Sequence, residues 1–198
     1  MLSFSQGEIL VRHTRLMIEN HVKGMTLPLI PSDAFFHDPR GVFVTLYRYP
    51  DLDLRGCIGI PEPVMKLGAA LNDAAISATQ DPRFPVLAAM ELPFILIEVT
   101  VLTPPEPLKV NQPKEYLEKI MIGKHGLIIR KGRYAGLLLP QVPVEQEWDV
   151  KEYLASLCYK AGLPPDAWLD PETNLFIFAG QIFAETKPYG PVKEKSFT

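Results

Sequence analysis

The chain has 198 residues and carries 20 Lys and Arg against 23 Asp and Glu, a formal net charge of −3. That balance argues against a bulk nucleic-acid binder, which needs an excess of cations on one surface to release counterions. Hydrophobic residues are 47% of the chain and charged residues 22%, proportions that predict a packed core rather than disorder.

Met1 to Gln6 show neither a basic segment nor an apolar one, so no signal peptide is expected. No apolar run reaches membrane-spanning length, and a cytoplasmic location is the expectation. Ser5-Gln6-Gly7-Glu8 has the form of a capping box. Leu10, Thr14, Met17, Ile18 and Val22 follow at helical spacing until Gly24, which predicts an opening amphipathic helix. Val42 to Tyr49 is β-branched and aromatic. With Leu54 to Ile60, across the turn at Pro50-Asp51-Leu52-Asp53, it predicts a hairpin. Pro61 and Pro63 then open a helix whose stripe is Val64, Leu67, Leu71, Ala74 and Ala78, closed by Asp81-Pro82.

Phe94 to Leu102 is apolar on both faces apart from Glu98 and Thr100, the pattern of a central strand. A short helix near Tyr116 precedes a hairpin of Gly126 to Arg130 and Tyr134 to Leu139 about the Lys131-Gly132 turn. A helix is expected from Asp149 to Ala161, stopped by Gly162, and a last strand from Leu175 to Ala184. The polar tail after Thr186 is expected to be loosely held. Helix, hairpin, helix, strand, hairpin, helix, strand does not alternate as a βαβ series would. The fold class is therefore α+β, with a mixed or mainly antiparallel sheet and flanking helices.

Leu54-Arg55-Gly56-Cys57-Ile58-Gly59-Ile60 holds the most chemistry. Period-two alternation puts Arg55, Cys57 and Gly59 on one strand face. A cation beside a thiol favours the thiolate, so Cys57 is a candidate nucleophile and Arg55 an anion clamp. The alternative is that Cys57 is a small buried hydrophobe and the glycines permit close packing. Cys158 shares a helix face with Leu154, Leu157 and Ala161 and reads as core. Cys57 is thus expected to be the more reactive thiol.

Glu98 interrupts an apolar strand and needs a partner there, with Arg55 or Arg83 expected; it is the third candidate catalytic residue. Asp81 and Arg83 on one loop either bind a polar ligand or fix the turn by an internal ion pair, and the structural role is favoured. Lys124 and His125 lie between Gly123 and Gly126, where the imidazole can donate, accept or ligate. His13, His21, His37 and the two cysteines show no metal-ligand spacing, so no metal is expected. Arg130, Lys131 and Arg133 crowd a hairpin tip, usually a solvated face. No nucleotide, zinc-protease or serine-hydrolase motif occurs, and no cofactor is implied.

Several ordered segments carry a resemblance across almost the whole chain. They are Leu54-Arg55-Gly56-Cys57-Ile58-Gly59, Asp81-Pro82-Arg83-Phe84, Ile122-Gly123-Lys124-His125-Gly126-Leu127, Gly136 through Val142, Glu147-Trp148 and Cys158 through Leu163. In these the chain resembles the AMMECR family. The resemblance implies a single domain over 1–198 with a larger lobe, a smaller lobe and a cleft between them. Residues 34–88 would form the smaller lobe, inserted in a larger lobe of 1–33 plus 89–198. Asp81, Arg83, Lys124, His125 and Gln141 join Arg55, Cys57 and Glu98 as candidate site residues, facing a small anionic ligand. Some members carry a hydroxyl residue where this chain has Ile60, so no hydroxyl role carries over there. The resemblance also implies work in concert with Memo-like and radical-SAM proteins. Two functions are therefore expected to compete, a small-ligand receptor or enzyme and a noncatalytic partner protein.

Overall fold

Ser3 caps the first helix rather than Ser5: its hydroxyl accepts from the Gln6 amide, and the Gln6 side chain answers the Ser3 amide. The capping box is thus one frame earlier than the Ser5 pattern suggests, and helix α1 spans Phe4–Val22. This computed structural model describes residues 1–195. Strands β1 (Val42–Arg48) and β2 (Asp53–Ile60) form the expected antiparallel hairpin. Helix α2 runs Leu67–Thr79. Val64 lies outside it and is exposed, because Lys66 is tied by a bridge to Pro39 and takes the N-cap position.

Strand β3 (Ile95–Leu102) is buried at every position and pairs with the full length of β1. The second unit supplies β4 (Glu106–Pro107), α3 (Tyr116–Lys119), β5 (Gly126–Lys131), β6 (Tyr134–Leu138), α4 (Val142–Glu145), α5 (Val150–Lys160) and β7 (Asn174–Phe178). Asp149 caps α5 and shares a capping box with Glu152. The single strand expected over 175–184 is two, β7 and β8 (Gly180–Glu185), which belong to different sheets. Nor is the tail loose throughout. Val192–Lys195 forms β9, antiparallel to β8, and the last three residues of that tail lie outside the described residues.

The strands make two antiparallel sheets, ordered β2-β1-β3-β8-β9 and β4-β7-β5-β6, so the class is α+β. Two units follow: Met1 to Pro104 with the described chain from Gln181, and Pro105 to Gly180. The expected division, with 34–88 apart from 89 onward, does not describe this pairing. β1 and β3 are neighbours in one sheet, because Ile95, Ile97, Val99 and Val101 join Val42, Val44 and Leu46 in a single core under α1 and α2. The second unit has its own core, where Tyr153, Leu154, Leu157 and Cys158 of α5 meet Leu127 and Ile129.

Alternation along β1 and β3 leaves a second face, turned away from α1 and α2. It carries Phe43, Thr45 and Tyr47 with Leu96, Glu98 and Thr100.

A thiol-bearing polar row on the five-stranded sheet

The hairpin register sets Cys57 opposite Thr45, and β1 in turn sets Thr45 opposite Glu98. The side chains follow this order. Cys57 Sγ lies 3.3 Å from Thr45 Oγ1, Glu98 Oε2 accepts from Lys195 Nζ at 2.5 Å, and the Tyr47 hydroxyl reaches Glu98 Oε1 at 3.5 Å. Thiol, hydroxyl, carboxylate and ammonium therefore cross the sheet in one row. Glu98 has the partner that its burial demands, but the partner is Lys195 and not an arginine. Both expected arginines are committed elsewhere. The lysine was hidden from sequence reasoning because it sits in a tail with no strand signal, and only the β8–β9 pairing brings it across.

Arg55 departs from its expected place for a local reason. The β1–β2 register shifts between Leu46 and Tyr47, where Leu46 opposes Gly56 and Tyr47 opposes Leu54, so Arg55 is the extra residue of a bulge. Its guanidinium is buried. Nε and Nη2 donate to the two Glu91 oxygens at 2.8 and 2.9 Å, and Nη2 also donates to the Pro85 carbonyl at 2.9 Å. Arg55 and Cys57 thus make separate contacts, and the alternation that put them side by side is broken at the bulge. Glu91 is held below the usual carboxylate range, chiefly by its bonds to Arg55.

Asp81 and Arg83 form the internal ion pair of their turn and also dress the outer edge of β2. Asp81 Oδ1 accepts from Arg83 Nε at 3.0 Å, and Oδ2 accepts from Arg83 Nη2 at 2.7 Å. Asp81 Oδ2 also accepts the Cys57 amide at 2.8 Å, while Arg83 Nη2 donates to the Cys57 carbonyl at 3.2 Å. Two side chains thereby satisfy both backbone groups of one edge residue, as a neighbouring strand would. Arg83 lowers the Asp81 pKa well beneath the usual carboxylate range, helped by the Cys57 and Arg83 amides against the cost of burial. Arg83 keeps 56% of its side chain exposed, so part of the guanidinium faces outward beside Cys57.

The glycines flanking Cys57 serve packing. A Cβ on Gly56 would lie 2.3 Å from the Ala78 carbonyl oxygen of α2, and one on Gly59 would lie 2.2 Å from the Phe43 ring. Helix α2 therefore takes the space beside Gly56, and the Phe43 ring takes the space over Gly59.

Lys124, His125 and Gln141 lie in the second unit. The His125 Nδ1 accepts from the Met121 amide at 3.3 Å, which closes the turn before β5. Burial and the neighbouring Lys124 lower the His125 pKa. The Tyr153 hydroxyl lies 3.1 to 3.4 Å from the carbonyls of His125, Leu138 and Leu139, and so draws the His125 turn toward the end of β6. Gln141 Oε1 is buried and has no hydrogen-bond partner among the described residues. Among those residues no three His, Cys, Asp or Glu side chains are grouped as a metal site, and no helix is long and apolar enough to cross a membrane.

These features define an α+β protein with a cysteine-bearing polar row on its larger sheet. The AMMECR1 family model matches residues 11–183, and the chain belongs to that family. It is 56% identical to Protein MJ0810 of Methanocaldococcus jannaschii, over 98% of each chain. It is 51% identical to Protein MK0488 of Methanopyrus kandleri, over 98% of this chain and 95% of the other. Among solved structures, that of the uncharacterized protein PH0010 from Pyrococcus horikoshii is similar at a TM-score of 0.82 and 47% identity, covering 98% of both chains. The likeness establishes the family and the fold; it assigns no reaction.

Proposed function

We propose that the protein binds a small ligand on the second face of the five-stranded sheet, with Cys57 as the reactive group and Glu98 as the proton acceptor in reach of the ligand. The supporting observation is the row itself: a half-buried thiol, a buried hydroxyl and a buried carboxylate in register on three adjacent strands. Burial of a carboxylate within an otherwise apolar strand is costly to maintain and is a feature of functional sites more than of plain cores. Arg83 is the cation best placed to meet an anionic group near Cys57. Arg55 acts as a positioning residue that fixes the bulge through Glu91. In the second unit, Lys124, His125 and Gln141 are candidates for a separate polar contact.

Alkylation tests this reading. With iodoacetamide limiting and the protein native, the adduct maps to Cys57, because Cys158 is fully buried and burial raises its pKa. Preferential labelling of Cys158, or no labelling of either before unfolding, removes the thiol from the proposal.

A second reading is a noncatalytic partner protein, for which Val86, Met90 and Phe94 speak: all three are large apolar side chains exposed within one short stretch. Co-purification with a Memo-like protein, lost on Phe94→Asp while Cys57 labelling is unchanged, would favour it.

A further inference from the structure

Next to the Glu98 end of the row lies a cavity of about 320 Å³ in the first unit, walled by Tyr49, Pro50, Leu52 and Leu96 and carrying Glu185, Lys193 and Lys195. Alternation on β9 puts Lys193 and Lys195 on one face, opposite Ala184 and Ile182. Of the cavity's charges, Glu185 is satisfied by both Arg15 nitrogens that bond it and by the Ile97 amide. Lys195 is matched by Glu98 and sits 5.9 Å from the Tyr47 ring centroid. Lys193 forms no ion pair with any described residue, so the cavity is left with one unmatched positive charge above an apolar wall of Tyr49, Pro50, Leu52 and Leu96.

We propose that this cavity takes a small organic monocarboxylate, its head at Lys193 and Lys195 and its ring or short apolar chain against Leu52 and Leu96. One unmatched cation calls for a single negative charge. The volume stands at the small end of ligand cavities, which span roughly 300–1,000 Å³ and combine an apolar lining with a few placed polar groups. A carboxylate can accept from both ammonium groups at once, and its apolar body removes water from the aromatic wall. The inference rests on the proposed ligand site, since it names what the Glu98 end of that site would hold.

Phenylacetate is the probe, with phenylacetamide, acetate and phenyl phosphate as comparisons, followed by amide shifts of uniformly ¹⁵N-labelled protein. The expected result is saturable movement of the Leu96 and Lys193 signals by phenylacetate, with the amide and acetate each at least about fivefold weaker, a difference of about 1 kcal/mol. Lys193→Ala, at an exposed edge position, should weaken phenylacetate by a similar factor while the remaining spectrum stays native. No saturable shift, tighter binding of phenyl phosphate, or binding indifferent to Lys193→Ala would overturn the proposal. Its failure is distinct from failure of the thiol site: selective Cys57 alkylation without phenylacetate binding leaves the site and removes this ligand. Phenylacetate binding without selective alkylation does the reverse.

Discussion

Asp81 anchors Cys57 from outside the Cys57 motif. Its carboxylate holds the Cys57 amide and the Arg83 guanidinium together, and with Glu91 it is one of two acids whose pKa lies below its ordinary value in this neighbourhood. An unfolded carboxylate titrates near 4, so the stabilisation from both acids is complete above that pH and is lost as pH falls through their lower folded values. Denaturant midpoints should therefore fall progressively as pH drops below about 4. Asp81→Asn should flatten that drop and cost about 2 kcal/mol near neutrality, by weakening a charge-assisted bond. An unchanged acid slope in the variant would contradict this account. Glu98→Gln tests the neighbouring pair. Lys195 is partly exposed and can rehydrate, so the loss should be about 1 kcal/mol and not the several expected of a sealed ion pair. A thermal or urea titration decides between these values.

The close approach of α2 to β2 carries the hairpin's position. The missing Cβ of Gly56 lets the Ala78 carbonyl lie where a methyl would be, and backbone cannot yield as a side-chain tip can. Gly56→Ala should cost about 2 kcal/mol through overpacking, read from urea unfolding, and should shift the Cys57 amide resonance as β2 moves outward. A variant as stable as the parent would show that α2 is free to slide. At this scale the sequence was informative where a single element decides its own shape. The hairpins, the central strand and the α5 boundaries were legible from β-branched runs, full apolar character and caps. The Arg55 bulge was not, because the same residues alternate equally well without it. The bulge lies next to Gly56, whose close approach to α2 is a long-range contact that no local pattern records. Val64 was misplaced in α2 because its stripe spacing fits, while the bridge at Lys66 that delays the helix is long-range.

At the level of the molecule, the sequence singles out Cys57, Asp81, Arg83 and Glu98, but the arginine it expects for Glu98 is replaced by Lys195. Pairings between distant strands are invisible to periodicity, and Lys195 reaches Glu98 only through the order β1-β3-β8-β9. The division of the chain was obscured for the same reason, since β3 and β8 are neighbours in one sheet although the whole second unit separates them in sequence. That arrangement bears on folding. Pairing β3 with β8 closes a long loop, with an entropic cost of about 4 kcal/mol if the stretch between them is still random coil. A second unit that collapses first around Leu154 and Leu157 shortens the effective loop and lowers that barrier. Both tryptophans, Trp148 and Trp168, lie within Pro105 to Gly180, so their fluorescence reports on this unit. During refolding, native tryptophan emission should precede hydrogen-exchange protection of Ile182 and Ala184. Leu154→Ala should delay that protection, whereas protection of β8 ahead of the tryptophan signal would mean that the larger sheet assembles without waiting for its insertion.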